Sequence, residues 1–191
     1  RVLFRSMPDN HIAGLTGVVV LCVSGIDDLN VVRKTVQSHV GLTHQDRDVL
    51  RAADVFAQIL WNVLRGMELR EAIEAYGSDF FSRKSASRWL SSGDGQIIDS
   101  KFSPACYIDK AFPASLYLAW KYADDFSAGV ISNTNVGGDN CHRGVVIGTL
   151  LGAANGMSKI PERWKRGLIL YSEILLLLPD DGKKRKVNAL V

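Results

Sequence analysis

The chain has 191 residues, 47% of them hydrophobic and 23% charged, with a net charge of +3. That composition supplies the core of one globular domain and excludes a disordered, collagenous or disulfide-dense chain. The charge excess is too small for a nucleic-acid partner.

Three cysteines, Cys22, Cys106 and Cys141, are odd in number and form no CxxC pair, which points to a reducing, intracellular and cytoplasmic setting. The longest apolar runs, residues 12–26 and 168–178, are too short to span a bilayer, so no membrane partner is expected. The first residue is Arg1, and no signal peptide is evident.

Taken in order, residues 12–26 are rich in Val and Gly, and the length of the run predicts a buried helix. Residues 27–40 predict a helix opened by aspartate, with Val31, Val32, Val36 and Val40 near one face. Thr43-His44-Gln45-Asp46 reads as a capping sequence in which Thr43 accepts from backbone N–H groups and the acid reaches back. The helix it opens carries Leu50, Ala53, Phe56, Ala57, Leu60 and Leu64 at three- and four-residue steps, and Gly66 stops it. Residues 69–76 make a shorter helix. Residues 77–103 hold Gly93-Asp94-Gly95 and many serines, and read as a long surface loop with room for one short helix.

Residues 105–122 are apolar at helical spacing, with a kink or break expected at Pro113. Asp124 or Asp125 caps the next segment, 126–135, and residues 143–157 are helical. Pro161 fits the first turn of a last helix that runs through Leu178 and ends at Pro179. The basic run at residues 183–186, KKRK, reads as a solvated tail. Strand alternation, internal repeats and linkers are missing, so the reading is all-α, one domain over residues 1–191.

The densest chemistry is in NTNVGGDNCHRG, residues 133–144. Downstream of it, Gly144, Gly148, Gly152 and Gly156 recur every four residues on one helix face, and each glycine costs about 1 kcal/mol against alanine. Close packing of another helix against that backbone is the expected offset. Gly137 and Gly138 permit a sharp turn and close approach by a ligand. Asp139 is either the N-cap of the helix or an oxygen ligand for Mg²⁺. Arg143 either pairs with an acid or sits near a phosphate.

The GGD loop, the GxxxGA helix and Ile160-Pro161-Glu162-Arg163-Trp164 resemble the C-terminal signature of the ADP-ribosylglycohydrolases. Leu42-Thr43-His44 before a long helix, and Ala111-Phe112-Pro113 leading into residues 116–120, are similar too. The resemblance implies a compact, orthogonal all-α bundle. It implies hydrolysis of an ADP-ribosyl glycosidic bond with two Mg²⁺ or Mn²⁺ ions, with this portion inactive by itself, or else a non-catalytic relative that binds ADP-ribose or a related nucleotide or serves a structural role. The partner implied is an ADP-ribosylated protein or an ADP-ribose-containing small molecule. Asp139 is the implied catalytic and metal residue. Gly137, Gly138, Asn140, His44 and Tyr107 are the implied ligand contacts, with adenine stacking on Tyr107 set against a place in the core. The family pattern Asp-x-Asp-Thr reads here as Asp139-Asn140-Cys141-His142. Cys141 and His142 therefore stand at the remaining metal positions, although both are soft for Mg²⁺. Cys141 reads equally as a small buried residue. The family's Thr-Asp-Asp motif and Gly-Asn-Gly-Ser loop are missing, so a C-terminal portion of a larger domain is expected.

Overall fold

A computed structural model describes residues 9–177. The KKRK run and Pro179 lie outside the described residues. Among the described residues there is no strand, only an isolated antiparallel bridge between His11 and Tyr107. The regular structure is otherwise α- and 3-10 helix, joined by turns and packed around one apolar core.

The N-terminal apolar run is not one helix. A 3-10 turn, Ile12–Leu15, precedes the five-residue α1, Val18–Cys22. Side chains press on Gly14, inside the first turn, and on Gly17, just before α1. A Cβ on Gly14 would lie 2.9 Å from the His44 ring and from Val49, and one on Gly17 would collide with His39.

Helix α2, Leu29–Val40, is capped by Asp28, which accepts from the Asn30 amide. Val32, Val36 and Val40 are buried, but Val31 stands on the solvent side. Helix α3, Arg47–Val63, is capped by Asp46 and not by Thr43. The Asp46 carboxylate accepts from the Asp48 and Val49 amides at 2.8 and 3.2 Å. Thr43 is still inside the turn that finishes α2, since the amides of Thr43 and His44 both return to the Val40 carbonyl. Helix α4 is Leu69–Tyr76.

The segment expected to be a loop contains two helices, α5, Arg83–Trp89, and α6, Asp94–Lys101. Their serines obscured a sparse but sufficient set of anchors: Phe81, Ala86, Ile97 and Ile98 are all buried. Each isoleucine contributes about 1.5–3 kcal/mol by leaving water.

Helix α7, Ile108–Lys121, runs through Pro113 without a break. The missing proline N–H costs about 3 kcal/mol in an ordinary helix interior. Here Pro113 and every residue from Ala111 to Trp120 are buried, so packing on all sides holds the helix together. Helix α8, Phe126–Val136, is capped by Asp125. Helix α9, Asn140–Asn155, packs against α3, α7 and α8 and carries the glycine stripe.

The stripe is not a backbone-tight seam. A Cβ on Gly148 would meet nothing within 4 Å, and one on Gly152 would make only ordinary contact with Phe126. The close approach is on the partner helix, where a Cβ on Gly129 of α8 would collide with Leu151 of α9. The last expected helix is two: α10, Glu162–Arg166, with Pro161 just before it, and α11, Tyr171–Leu177.

Candidate functional site

Asp139 stands at the N-cap of α9, where its carboxylate accepts from the His142 amide at 3.4 Å. Gly137 and Gly138 lead into it with φ of +76° and +62°, a left-handed path that glycine adopts without strain. At Gly138 a second constraint applies, because a Cβ there would run into the carbonyl of Pro104. That carbonyl also accepts from the Asp139 amide at 2.8 Å.

A buried cation shapes this turn. Arg143, fully buried in the first turns of α9, donates from Nη1 to the Pro104 carbonyl at 2.8 Å and from Nη2 to the Gly137 carbonyl at 2.6 Å. Its Nε donates to Asn133 Oδ1 at 3.1 Å, and Asn133 Nδ2 donates in turn to the Asn140 carbonyl at 2.8 Å. So Arg143 donates to neutral oxygens and makes no ion pair with an acid among the described residues. It satisfies the oxygens of a loop that has few other partners. Burial pulls the guanidinium below its ordinary value, and the charge of Asp139 opposes that shift.

The other expected residues fall into two groups. Asn140 belongs to the loop, with its Nδ2 donating to the Thr134 carbonyl at 3.2 Å. His142 Nδ1 lies 2.9 and 3.1 Å from the two oxygens of Asp139. Cys141 is exposed, which corrects the reading of it as a small buried residue. His44 and Tyr107 form a separate group near the N-terminal turn. His44, whose side chain is 13% exposed, packs on Gly14, with Nδ1 2.8 Å from Thr43 Oγ1 and Nε2 3.7 Å from Asp9. Tyr107 is half exposed, so it is not a core residue, and its ring lies 5.4 Å from that of His11. Residues 104–107 join the two groups, because the Cys106 carbonyl accepts from the Ile12 amide at 2.9 Å.

Sequence reasoning missed Arg143's neutral partners, Asn133 and Pro104. It also missed a polar node at the start of α6. Asp94 accepts from Lys121 Nζ at 2.6 Å and from the hydroxyls of Tyr122 and Ser132 at 2.5 Å each. The node borders a cleft of about 410 Å³. A larger cleft, about 760 Å³, lies beside Arg70, Glu74 and Trp120. Neither is lined by Asp139 or its neighbours.

The residues present do not fit two hard divalent cations. Among the described residues no three His, Cys, Asp or Glu side chains are grouped to share a metal ion. The acid pairs at residues 27–28 and 124–125 are placed otherwise: Asp28 and Asp125 cap helices, Asp124 pairs with Arg70 at 2.7 Å, and Asp27 is almost fully exposed. Mg²⁺ asks for near-octahedral oxygen ligation, and one carboxylate beside a thiol and an imidazole does not supply it.

With this geometry in view, the comparisons are specific. The chain belongs to the ADP-ribosylglycohydrolase family, whose model matches residues 10–185. It is similar to a solved structure described as an ADP-ribosylglycohydrolase-related protein complex, with 27% identity and a TM-score of 0.61. The match covers 83% of this chain and 54% of that one, so the chain spans about half the length of its structural relative. No curated protein matches it. Among the described residues no helix is long and apolar enough to cross a membrane.

Proposed function

We propose that this chain recognises the ADP-ribosyl group of an ADP-ribosylated protein or of an ADP-ribose-containing small molecule, at the turn formed by Gly137, Gly138 and Asp139. The observation that carries this reading is the turn itself, held open at the positive end of α9 by Arg143. A carboxylate only accepts, which suits the hydroxyls of a ribose. Gly137, with open space where a Cβ would go, lets a ligand reach the backbone.

Hydrolysis of the glycosidic bond is the activity that family membership brings with it as a proposal for the whole protein. That reaction needs a group to activate water and groups to position the ribose. The described residues supply one candidate, Asp139, and it is engaged by His142. Recognition without turnover is therefore the reading these residues support best.

Isothermal titration of ADP-ribose into the chain, beside Asp139→Ala and Asp139→Asn, tests it. Saturable binding by the native chain that both variants weaken is the expected outcome. A folded native chain that takes up no ADP-ribose ends the proposal.

A further inference from the structure

We infer that the Asp139 site works without a hard divalent cation, because the His142 imidazole stands where the cation would sit. The inference takes its ligand from the proposed function, but its metal half stands apart from that reading.

The carboxylate is straddled. His142 Nδ1 is nearly equidistant from its two oxygens, at 2.9 and 3.1 Å, and the His142 amide adds a third contact to Oδ1. A carboxylate has no proton to give, so Nδ1 carries the hydrogen and donates, which leaves Nε2 as the free ring nitrogen. An N–H shared between both oxygens lies near the bisector that a bidentate cation would use. The pairing is built into the helix start, because residues three apart meet on one face of a turn. The Asp139 side chain is 15% exposed and that of His142 is 40%, so the ring is the more solvent-facing of the two and screens the carboxylate.

A cation entering here would have to push the imidazole aside. It would then find a single carboxylate, because no group of three His, Cys, Asp or Glu side chains forms there among the described residues. Dehydrating Mg²⁺ for one carboxylate is unfavourable, since this ion keeps its waters unless several hard ligands replace them. His142 is thus a positioning residue. It fixes the orientation of the Asp139 carboxylate and offers a hydrogen bond in place of ionic ligation.

Manganese is a convenient probe, since its free ion gives a paramagnetic resonance signal. The experiment titrates Mn²⁺ into the native chain, Asp139→Asn and His142→Asp, and measures ADP-ribose binding by the native chain in EDTA and in Mn²⁺. His142→Asp sets a second carboxylate beside the first and serves as the positive control.

The native chain and Asp139→Asn are expected to leave the manganese signal alike, while His142→Asp binds at least about tenfold more tightly. ADP-ribose affinity is expected to agree within about twofold between EDTA and Mn²⁺. Manganese binding by the native chain that Asp139→Asn removes overturns the inference, as does loss of ADP-ribose binding in EDTA with recovery in Mn²⁺. Absence of ADP-ribose binding in both media ends the functional reading, and the manganese titrations then decide the inference alone.

Discussion

Arg143 and Asp94 are both largely withdrawn from solvent, and they are held in opposite ways. Arg143 has no carboxylate in hydrogen-bond contact. Its three donors go to two backbone carbonyls and an amide oxygen, on segments 6, 10 and 39 residues away. Asp94 is paired with a cation and two hydroxyls, which come from α7, the residue after it, and α8. One charge moulds a loop and the other fastens three helices. A buried charge met by neutral dipoles keeps most of its desolvation cost, whereas a paired one recovers part of it. The loop that carries the candidate site is thus the costlier of the two arrangements. Removing its cation leaves several oxygens without donors at once.

The largest effect is expected from Arg143→Met, a cost of about 3 kcal/mol, because buried oxygens lose their donors together. Urea unfolding followed by circular dichroism measures it. A loss under about 1 kcal/mol would mean that the loop keeps its path without the guanidinium, and the contrast with Asp94 would collapse.

Asp94→Asn is expected to cost about 2 kcal/mol, less because the hydroxyl partners remain and the node is near solvent. This variant also has a pH signature. Burial alone would raise the Asp94 carboxyl, but hydrogen bonds from Lys121, Ser132 and Tyr122 outweigh it and hold the group below its ordinary value. A depressed carboxyl contributes stability that is present above its unfolded pKa, about 4, and is lost as pH falls through the lower folded value. Urea midpoints between neutral and acid pH should show that acid-side loss in the native chain and a smaller one in Asp94→Asn. Equal slopes would place the stabilisation elsewhere.

The smallest effect is expected from Gly148→Ala, and it has the opposite sign. Gly148 is inside α9 with open space where a Cβ would go, so alanine should stabilise the helix by about 0.5–1 kcal/mol. A thermal melt reads the shift. Destabilisation would show that the glycine face is needed for something that packs upon it.

Much of the fold was legible because apolar spacing alone defines it. Val32, Val36 and Val40 repeat every four residues, Gly66 takes a φ of +96° after α3, and Asp28 and Asp125 cap the helices they precede. Pro113 misled because its penalty is local, while the burial that overrides it comes from the whole core. Segment 77–103 misled because four buried apolar side chains, spread among serines, are enough to fix two short helices. At the candidate site, Asp139 was legible as a cap. Arg143 carried a signal too, since it shares a helix face with the buried Val146, Ile147, Leu150 and Leu151. Its partners left none, because a backbone carbonyl has no residue type to read. The Asp139–His142 contact needed only an i, i+3 rule, but the exposure of Cys141 and the separation of His44 and Tyr107 from the loop depend on chain paths that no local pattern records.

Residues 104–107 act mechanically as a strap pinned at both ends. One end is the Pro104 carbonyl, which takes the Asp139 amide and the Arg143 guanidinium together. At the other end, Cys106 and Ile108 exchange hydrogen bonds with Ile12 and Asn10, and the Tyr107 ring lies over His11. Short as it is, this segment therefore ties the start of α9 to the N-terminal turn, two parts of the chain about 130 residues apart in sequence.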